Sequence, residues 1–168
     1  MKEAVEIAKL RLFLKLVAEV DDVDHIEPMP DIDYNIRAGN TLVGFATFEQ
    51  LQEAIHGKGQ GRLDLDDVAE KFREQAEMVG MAFTRFKDVQ LVADQGSAAF
   101  RQAKDDLQAR LSRLNEHLHR YLAKQYGVEA DNAPLLYEEW QSSHQPFHWL
   151  AEFYKIVHVN GGFDVIIG

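Results

Sequence analysis

The order of apolar and polar positions predicts a mainly helical chain. Residues 2–20 contain no Gly or Pro and are rich in Leu, Ala, Lys and Glu, which favours a helix. One side of this helix carries Ile7, Leu10, Phe13, Leu14 and Val17. A second side carries Val5, Leu12 and Leu16. Because its apolar surface is wider than one stripe, we expect this helix to be buried on two sides.

Two long amphipathic helices are predicted in the middle of the chain. The first spans about Asp66 to Val89, with apolar residues at helical spacing: Val68, Phe72, Val79, Phe83 and Phe86. The second spans about Ser97 to Tyr126, with one apolar face: Phe100, Leu107, Leu111, Leu114, Leu118 and Leu122. Ser97 suits the N-cap of the second helix and Gly127 suits its C-cap. The short connection between them predicts an antiparallel hairpin.

Shorter elements surround this hairpin. Helices are predicted over Phe45–His56, Leu135–Gln141 and Pro146–Val157, and loops over Asp21–Asp33 and Gly57–Gly61. Short strands are predicted at Tyr34–Ala38, before the Gly39–Asn40 turn, and at Phe163–Gly168, which is β-branched and apolar. The fold class is therefore mainly α with two short strands. A buried strand at the last residue leads us to expect an internal piece of a larger domain.

Composition is that of an ordinary globular protein. The 168 residues are 46% hydrophobic and 27% charged, and no apolar run approaches the length of a membrane span. There is no cysteine, which excludes disulfides and thiolate chemistry. The acidic start of the chain does not match a secretory signal. A cytoplasmic location is the simplest interpretation.

Charge is uneven along the chain. The net charge of −10 argues against a surface that binds nucleic acid everywhere. Opposite the leucine face of the second long helix, however, runs a basic stripe: Arg110, Arg113, His117, Arg120 and Lys124. Such a stripe is able to follow a phosphate backbone, although most charged helix faces are simply solvated.

Three blocks, in order, carry a family resemblance. They are Ala4–Leu14, Pro30–Gly44, and Pro146–Trp149 followed by Glu152–Phe153 and Gly161–Gly168. Together they resemble the catalytic domain of adenine-N6 DNA methyltransferases of restriction–modification systems, especially the large single-chain type IIG class. The resemblance covers about a third of the residues. Residues 47–145 look like a variable helical insertion.

The resemblance implies a Rossmann-like parent enzyme that uses S-adenosylmethionine and acts on double-stranded DNA. In that family a strand like Gly161–Gly168 is followed by the catalytic motif Asn-Pro-Pro-Tyr, and the glycine-rich cofactor loop lies upstream of a helix like Ala4–Leu14. Neither motif occurs in this sequence. We therefore expect the chain to hold no catalytic residue and to be inactive alone.

Gly39 and Asn40 are the candidate cofactor residues. In the family the position of Asn40 is often Asp, which contacts the adenine of the cofactor, and an amide at that position still donates and accepts hydrogen bonds. The alternative is that Gly39–Asn40 is only a turn. Asp164 either orients the catalytic loop or simply bonds to backbone at the end of its strand.

Other candidate sites are weaker. Phe147, His148 and Trp149 are interpreted as a packing cluster rather than a stacking platform for a base. His117 and His119 diverge on a helix, and Pro146 separates His144 from His148, so no metal site is expected. Arg110, Arg113, Arg120 and Lys124 are kept as DNA-contact candidates.

Three segments are therefore predicted: 1–46 as methyltransferase core, 47–145 as a helical insertion with the long hairpin, and 146–168 as the helix and strand that lead to the catalytic motif. The isolated chain is expected to self-associate through its two-sided helix and its unpaired strands. The competing hypothesis is a stand-alone helical module that binds a protein partner.

Overall fold

A computed structural model describes residues 2–20, 32–56, 62–92 and 96–167. The chain divides into two compact units, Met1–Gly39 and Asn40–Gly168. The acidic loop predicted at Asp21–Asp33, apart from its last two residues, and the break predicted at Gly57–Gly61 lie outside the described residues. No helix in the described part of the chain is long and apolar enough to cross a lipid bilayer.

The first unit contains helix α1, Lys2–Ala18. Lys9 on this helix forms ion pairs with Glu6 at 3.0 Å and with Asp33 at 2.7 Å, which ties the segment after the loop to the helix. Large apolar side chains of α1 on both predicted sides are exposed, among them Ile7 (57%), Leu14 (56%) and Leu16 (48%). The apolar surface predicted from the sequence is thus present, and much of it is uncovered.

The second unit is built on a helical hairpin. Helices α3, Arg62–Val92, and α4, Ala98–Gln125, pack against each other along their length. They are antiparallel, because Phe86 contacts Phe100 at one end and Phe72 contacts Tyr121 at the other. The predicted apolar face of α4 is buried at every position: Phe100, Leu107, Leu111, Leu114, Leu118 and Leu122. Burial of these side chains is the main source of stability in the hairpin.

Both ends of α4 are capped as the sequence predicts. Ser97 Oγ accepts a hydrogen bond from the Phe100 N–H at 3.1 Å. At the other end Gly127 has φ +77, and its N–H and that of Val128 donate to carbonyls of the last turn. This is the Schellman arrangement, in which glycine avoids the steric penalty of a left-handed residue.

The N-cap of α4 gives a first prediction. Ser97→Ala removes the hydroxyl that accepts the Phe100 N–H, so the free energy of unfolding should fall by about 1 kcal/mol. Urea denaturation monitored by circular dichroism measures the change. Ser97→Asp keeps an acceptor and should retain most of the stability. Ser142→Ala, at an exposed serine of α5 (Pro134–His144), should change it by less than about 0.5 kcal/mol. Equal losses in Ser97→Ala and Ser142→Ala would contradict the assignment.

Smaller helices complete the second unit. Helix α2, Phe48–His56, packs on α3, and its Leu51 and Ile55 side chains are fully buried. Helix α5 packs on α4. Helix α6, Trp149–Glu152, contacts both long helices, and a π-helical turn follows it at Lys155–Val159. The prediction of one helix over Pro146–Val157 is therefore correct only from Trp149 onward, because Pro146 and Phe147 pair with the backbone of another segment.

The two predicted strands are wrong. Among the described residues there is no β-strand. Residues 33–35 form a turn in which the Asn35 N–H donates to the Ile32 carbonyl at 2.9 Å, and Val165, Ile166 and Ile167 are exposed and irregular. A parallel strand satisfies its backbone groups only through neighbouring strands. The described chain provides no such neighbour to either segment, so neither becomes a strand.

Candidate functional site

Residues 40–47, the Asn40 loop, precede α2 and are held in place by hydrogen bonds. The Asn40 N–H donates to the Gln145 carbonyl at 2.7 Å, and Asn40 forms an isolated parallel bridge with Pro146. Asn40 Oδ1 accepts from the Leu42 N–H at 3.2 Å, and the Asn40 carbonyl accepts from the Val43 N–H at 3.0 Å. These bonds form an Asx-type turn, in which the side chain holds its own loop. The side chain of Asn40 is nevertheless exposed.

The second half of the Asn40 loop is paired with Phe147 and with the first turn of α6. The Phe147 N–H donates to the Val43 carbonyl at 2.7 Å, and the Leu150 N–H donates to the Phe45 carbonyl at 3.4 Å. Gly44 lies between these bonds with φ +152. A Cβ at Gly44 would lie 2.0 Å from the Phe147 carbonyl oxygen. Only glycine allows the two backbones to approach this closely.

His148 fastens this pairing from within the core. It is fully buried, its Nδ1 accepts from the Phe45 N–H at 3.1 Å, and its ring stacks on Phe45 at 5.4 Å. Because Nδ1 is the acceptor, a neutral imidazole carries its proton on Nε2. Among the described residues Nε2 has no hydrogen-bond partner. Burial, together with the neighbouring His119, lowers the pKa of His148 from 6.5 to about 3, so the ring is neutral.

His119, on α4, also contacts His148. The two ring centroids are 5.0 Å apart. His119 Nδ1 lies 2.9 Å from the Gln141 side-chain nitrogen, and its ring also hydrogen-bonds the Pro146 backbone. Burial lowers the pKa of His119 as well. The separation of these histidines along the sequence gave no sign that they meet.

An aromatic cluster joins the loop to the last described segment. Phe163 packs edge-on against Trp149 at 5.7 Å and against Phe153 at 5.4 Å. Trp149 Nε1 donates a long hydrogen bond of 3.4 Å to the Thr41 carbonyl. Trp149 therefore touches both the Asn40 loop and the segment that contains Asp164. The interpretation of Phe147, His148 and Trp149 as a packing cluster is confirmed.

The structure thus brings together residues from two of the three sequence blocks. Asn40 lies beside Pro146, and the aromatic cluster places Phe163 close by. Gly39 precedes Asn40 in the chain and is the last residue of the first unit. Asp164 is exposed, one residue after the anchored Phe163. The pairing of the Asn40 loop with Gln145–Leu150 was not predictable from sequence spacing.

The basic stripe of α4 is partly neutralised. Arg110 Nε contacts Asp106 at 2.9 Å, and Arg120 contacts both Glu116 and Asp131 at 2.7 Å. Arg113 and Lys124 are exposed on the same helix, as is His117. Salt bridges to nearby acids lower the net positive charge of the stripe. DNA contact by Arg110, Arg113, Arg120 and Lys124 stays a prediction.

Other surfaces show less chemistry. An open groove of about 580 Å³ lies between α3 and the π-helical turn, and its lining shares no residue with the Asn40 loop. It carries both acids, Glu77 and Asp88, and bases, Arg85 and Lys155, so it selects no charge. In the part of the chain that the structure describes, no three His, Asp or Glu side chains are grouped to hold a metal ion.

Comparison with known proteins gives one family match and one partial relative. The family described as Eco57I restriction-modification methylase matches residues 1–168. A protein of Methanocaldococcus jannaschii, provisionally named a type II restriction enzyme and methyltransferase, is 50% identical over 46 residues. That match covers 25% of this chain and 4% of the relative, so the chain spans a small part of the relative's length. No solved structure matches this chain.

Proposed function

The chain belongs to the Eco57I restriction-modification methylase family, and on that premise we propose that it is part of an S-adenosylmethionine-dependent DNA adenine-N6 methyltransferase of the type IIG class. The observation that carries the proposal is the backbone pairing of the Asn40 loop with the Pro146–Leu150 segment. These are two of the blocks on which the adenine-methyltransferase resemblance rests. Their direct contact supports a shared site rather than two chance matches.

Asn40 and Gly39 are the proposed cofactor residues. S-adenosylmethionine, when bound, supplies the methyl group for transfer. Asn40 fits such a ligand because its side chain is exposed on a loop whose backbone is fixed. Its oxygen is engaged with Leu42, so the amide nitrogen would be the group that donates a hydrogen bond to the cofactor's adenine. Gly39, without a side chain, allows close approach of a ligand to the backbone.

The proposed substrate is an adenine in double-stranded DNA. The target base must leave the stack to reach an active site. We place residues 1–46 and 146–168 in the Rossmann-like core of the full-length protein and residues 47–145 in a helical insertion. Because these 168 residues contain neither Asn-Pro-Pro-Tyr nor a glycine-rich cofactor loop, the chain alone should transfer no methyl group. Its place in the cytoplasm is part of the same proposal.

The test is binding of S-adenosylhomocysteine to the full-length protein by titration calorimetry. Asn40→Ala should weaken binding at least about tenfold, the effect of losing one well-placed hydrogen bond to the ligand. Asn35→Ala, at another exposed asparagine, is the matched control and should leave affinity unchanged. No binding by the wild type, or equal affinity in Asn40→Ala, would overturn the proposal for this site.

The basic stripe gives a second prediction for the full-length protein. If α4 follows a phosphate backbone, removing Arg110, Arg113, Arg120 and Lys124 together should weaken DNA binding and flatten its dependence on salt. Among single variants, Arg113→Ala should have a larger effect than Arg120→Ala, since Arg120 already pairs with two acids. Fluorescence anisotropy with labelled duplex at several salt concentrations measures both. An unchanged affinity and salt slope would remove α4 from the DNA surface.

Exposed apolar surface predicts self-association of the isolated chain. Beyond α1, the side chains of Val165, Ile166 and Ile167 are 72%, 84% and 90% exposed. We propose that other parts of the full-length protein cover these surfaces. Light scattering of the isolated chain should therefore show dimers or larger species, and Ile166→Glu with Ile167→Glu should shift the distribution toward monomer. A monodisperse monomer in the unmodified chain would contradict this expectation.

A further inference from the structure

The helical insertion reaches the proposed cofactor loop through two imidazoles, those of half-buried His119 and fully buried His148. His119 belongs to α4, and its ring packs on His148 at 5.0 Å. His148 in turn accepts the Phe45 N–H and stacks on the Phe45 ring. We propose that His148 is a positioning residue for the Asn40 loop and that His119 makes the insertion part of the support on which cofactor affinity depends. This inference rests on the proposed function.

Phe45 is clamped at every group it offers. Its N–H is bound by His148 Nδ1 at 3.1 Å, its carbonyl accepts from the Leu150 N–H at 3.4 Å, and its ring is 4% exposed. A buried backbone N–H that loses its acceptor is costly, so the backbone moves to find another. Phe45 lies at the end of the loop that Asn40 begins. Movement at Phe45 therefore shifts the loop that presents Asn40.

The orientation of the His148 ring is fixed more by packing against neighbouring rings than by its own hydrogen bonds. Its Nε2 has no partner among the described residues, so only the Phe45 N–H holds the ring by hydrogen bonding. The remaining restraint is packing, by Phe45 on one face and by His119 nearby. His119 is itself held by hydrogen bonds with the Gln141 side chain and with the Pro146 backbone. The anchored ring of His119 thus keeps His148 in the position that serves Phe45.

Two variants of His148 separate positioning from packing. His148→Asn keeps an acceptor close to the place of Nδ1 but loses the ring, whereas His148→Phe keeps a ring but leaves the Phe45 N–H without an acceptor. Positioning predicts that His148→Phe weakens S-adenosylhomocysteine binding by the full-length protein about tenfold or more, and that His148→Asn recovers most of that loss. A role in packing alone predicts the reverse order. Backbone amide exchange should show the Phe45 N–H least protected in His148→Phe.

The contribution of the insertion is tested on α4. His119→Leu should weaken S-adenosylhomocysteine binding about threefold to tenfold, while His117→Leu, at an exposed position two residues earlier, should not. This pair also decides the matter if a His148 variant fails to fold by circular dichroism. Wild-type protein that does not bind S-adenosylhomocysteine overturns the proposed function and this inference with it. Wild-type binding with unchanged affinity in His148→Phe and His119→Leu overturns only the inference.

Discussion

Gly44→Ala should separate the Asn40 loop from the Gln145–Leu150 segment and lower the free energy of unfolding by at least about 3 kcal/mol. Two costs add at this position. The backbone has φ +152, which L-residues rarely adopt, and a Cβ would lie 2.0 Å from the Phe147 carbonyl oxygen. That neighbour is backbone, held by the adjacent hydrogen bond from the Phe147 N–H to Val43, and cannot rotate away. Urea denaturation of wild type and variant measures the loss.

Gly127→Ala is the matched control. Gly127 also has positive φ, +77, but among the described residues beyond its chain neighbours no atom lies within 4 Å of an added Cβ. Gly127→Ala should therefore lower the free energy of unfolding only by the strain of a left-handed residue, about 1–2 kcal/mol. The difference between the two variants isolates the steric clash. If Gly44→Ala lowers the free energy of unfolding no more than Gly127→Ala does, the close approach of the Asn40 loop to Phe147 does not exist in solution.

Mild acid should destabilise the protein because His148 must stay neutral in the folded state. Burial lowers its pKa from 6.5 to about 3. Between these two pH values His148 is protonated in the unfolded chain and neutral in the folded chain. The contribution of neutral His148 to the free energy of unfolding is therefore fully present above pH 6.5 and is lost as the pH falls toward 3. Linkage gives a loss of about 1.4 kcal/mol between pH 8 and pH 5.5. His119, whose pKa is also lowered by burial, acts in the same direction.

Urea denaturation at pH 8 and pH 5.5 measures this dependence, and pH 5.5 stays above the isoelectric point of about 5.1. His148→Gln should remove at least half of the difference in unfolding free energy between the two pH values. His117→Gln, at an exposed histidine of α4, should leave the difference unchanged. The slope is the relevant quantity, because His148→Gln also lowers stability at both pH values by disturbing the core. An equal slope in the wild type and His148→Gln would show that His148 does not titrate on unfolding.

The helices were predictable because their signals are local. The leucine spacing of α4, the serine at its start and the glycine after its end each act within a few residues, and each holds in the structure. Boundaries were less certain: α3 begins at Arg62 rather than near Asp66. The strands were not predictable from local pattern. Phe163–Ile167 has the composition of a buried strand, but strand formation depends on partners elsewhere in sequence.

The candidate site was predicted in part. Asn40 was identified through the resemblance, and the structure adds why its loop is rigid: backbone pairing with Gln145–Leu150, a glycine without room for a side chain, and the acceptor on His148. His148 was interpreted only as a packing residue, because a lone histidine in an aromatic run shows no partner in sequence. The contact between His119 and His148 depends on the tertiary fold of the insertion. No local spacing reports it.

The proposed function is tested most directly by identifying the reaction product of the full-length protein. It should be incubated with S-adenosylmethionine and with DNA from a host that lacks adenine methylation, and the hydrolysed nucleosides should be measured by mass spectrometry. The wild type should produce N6-methyldeoxyadenosine, and Asn40→Ala should produce much less at equal protein concentration. Methylated cytosine alone, or no methylated nucleoside from protein that binds both ligands, would contradict it.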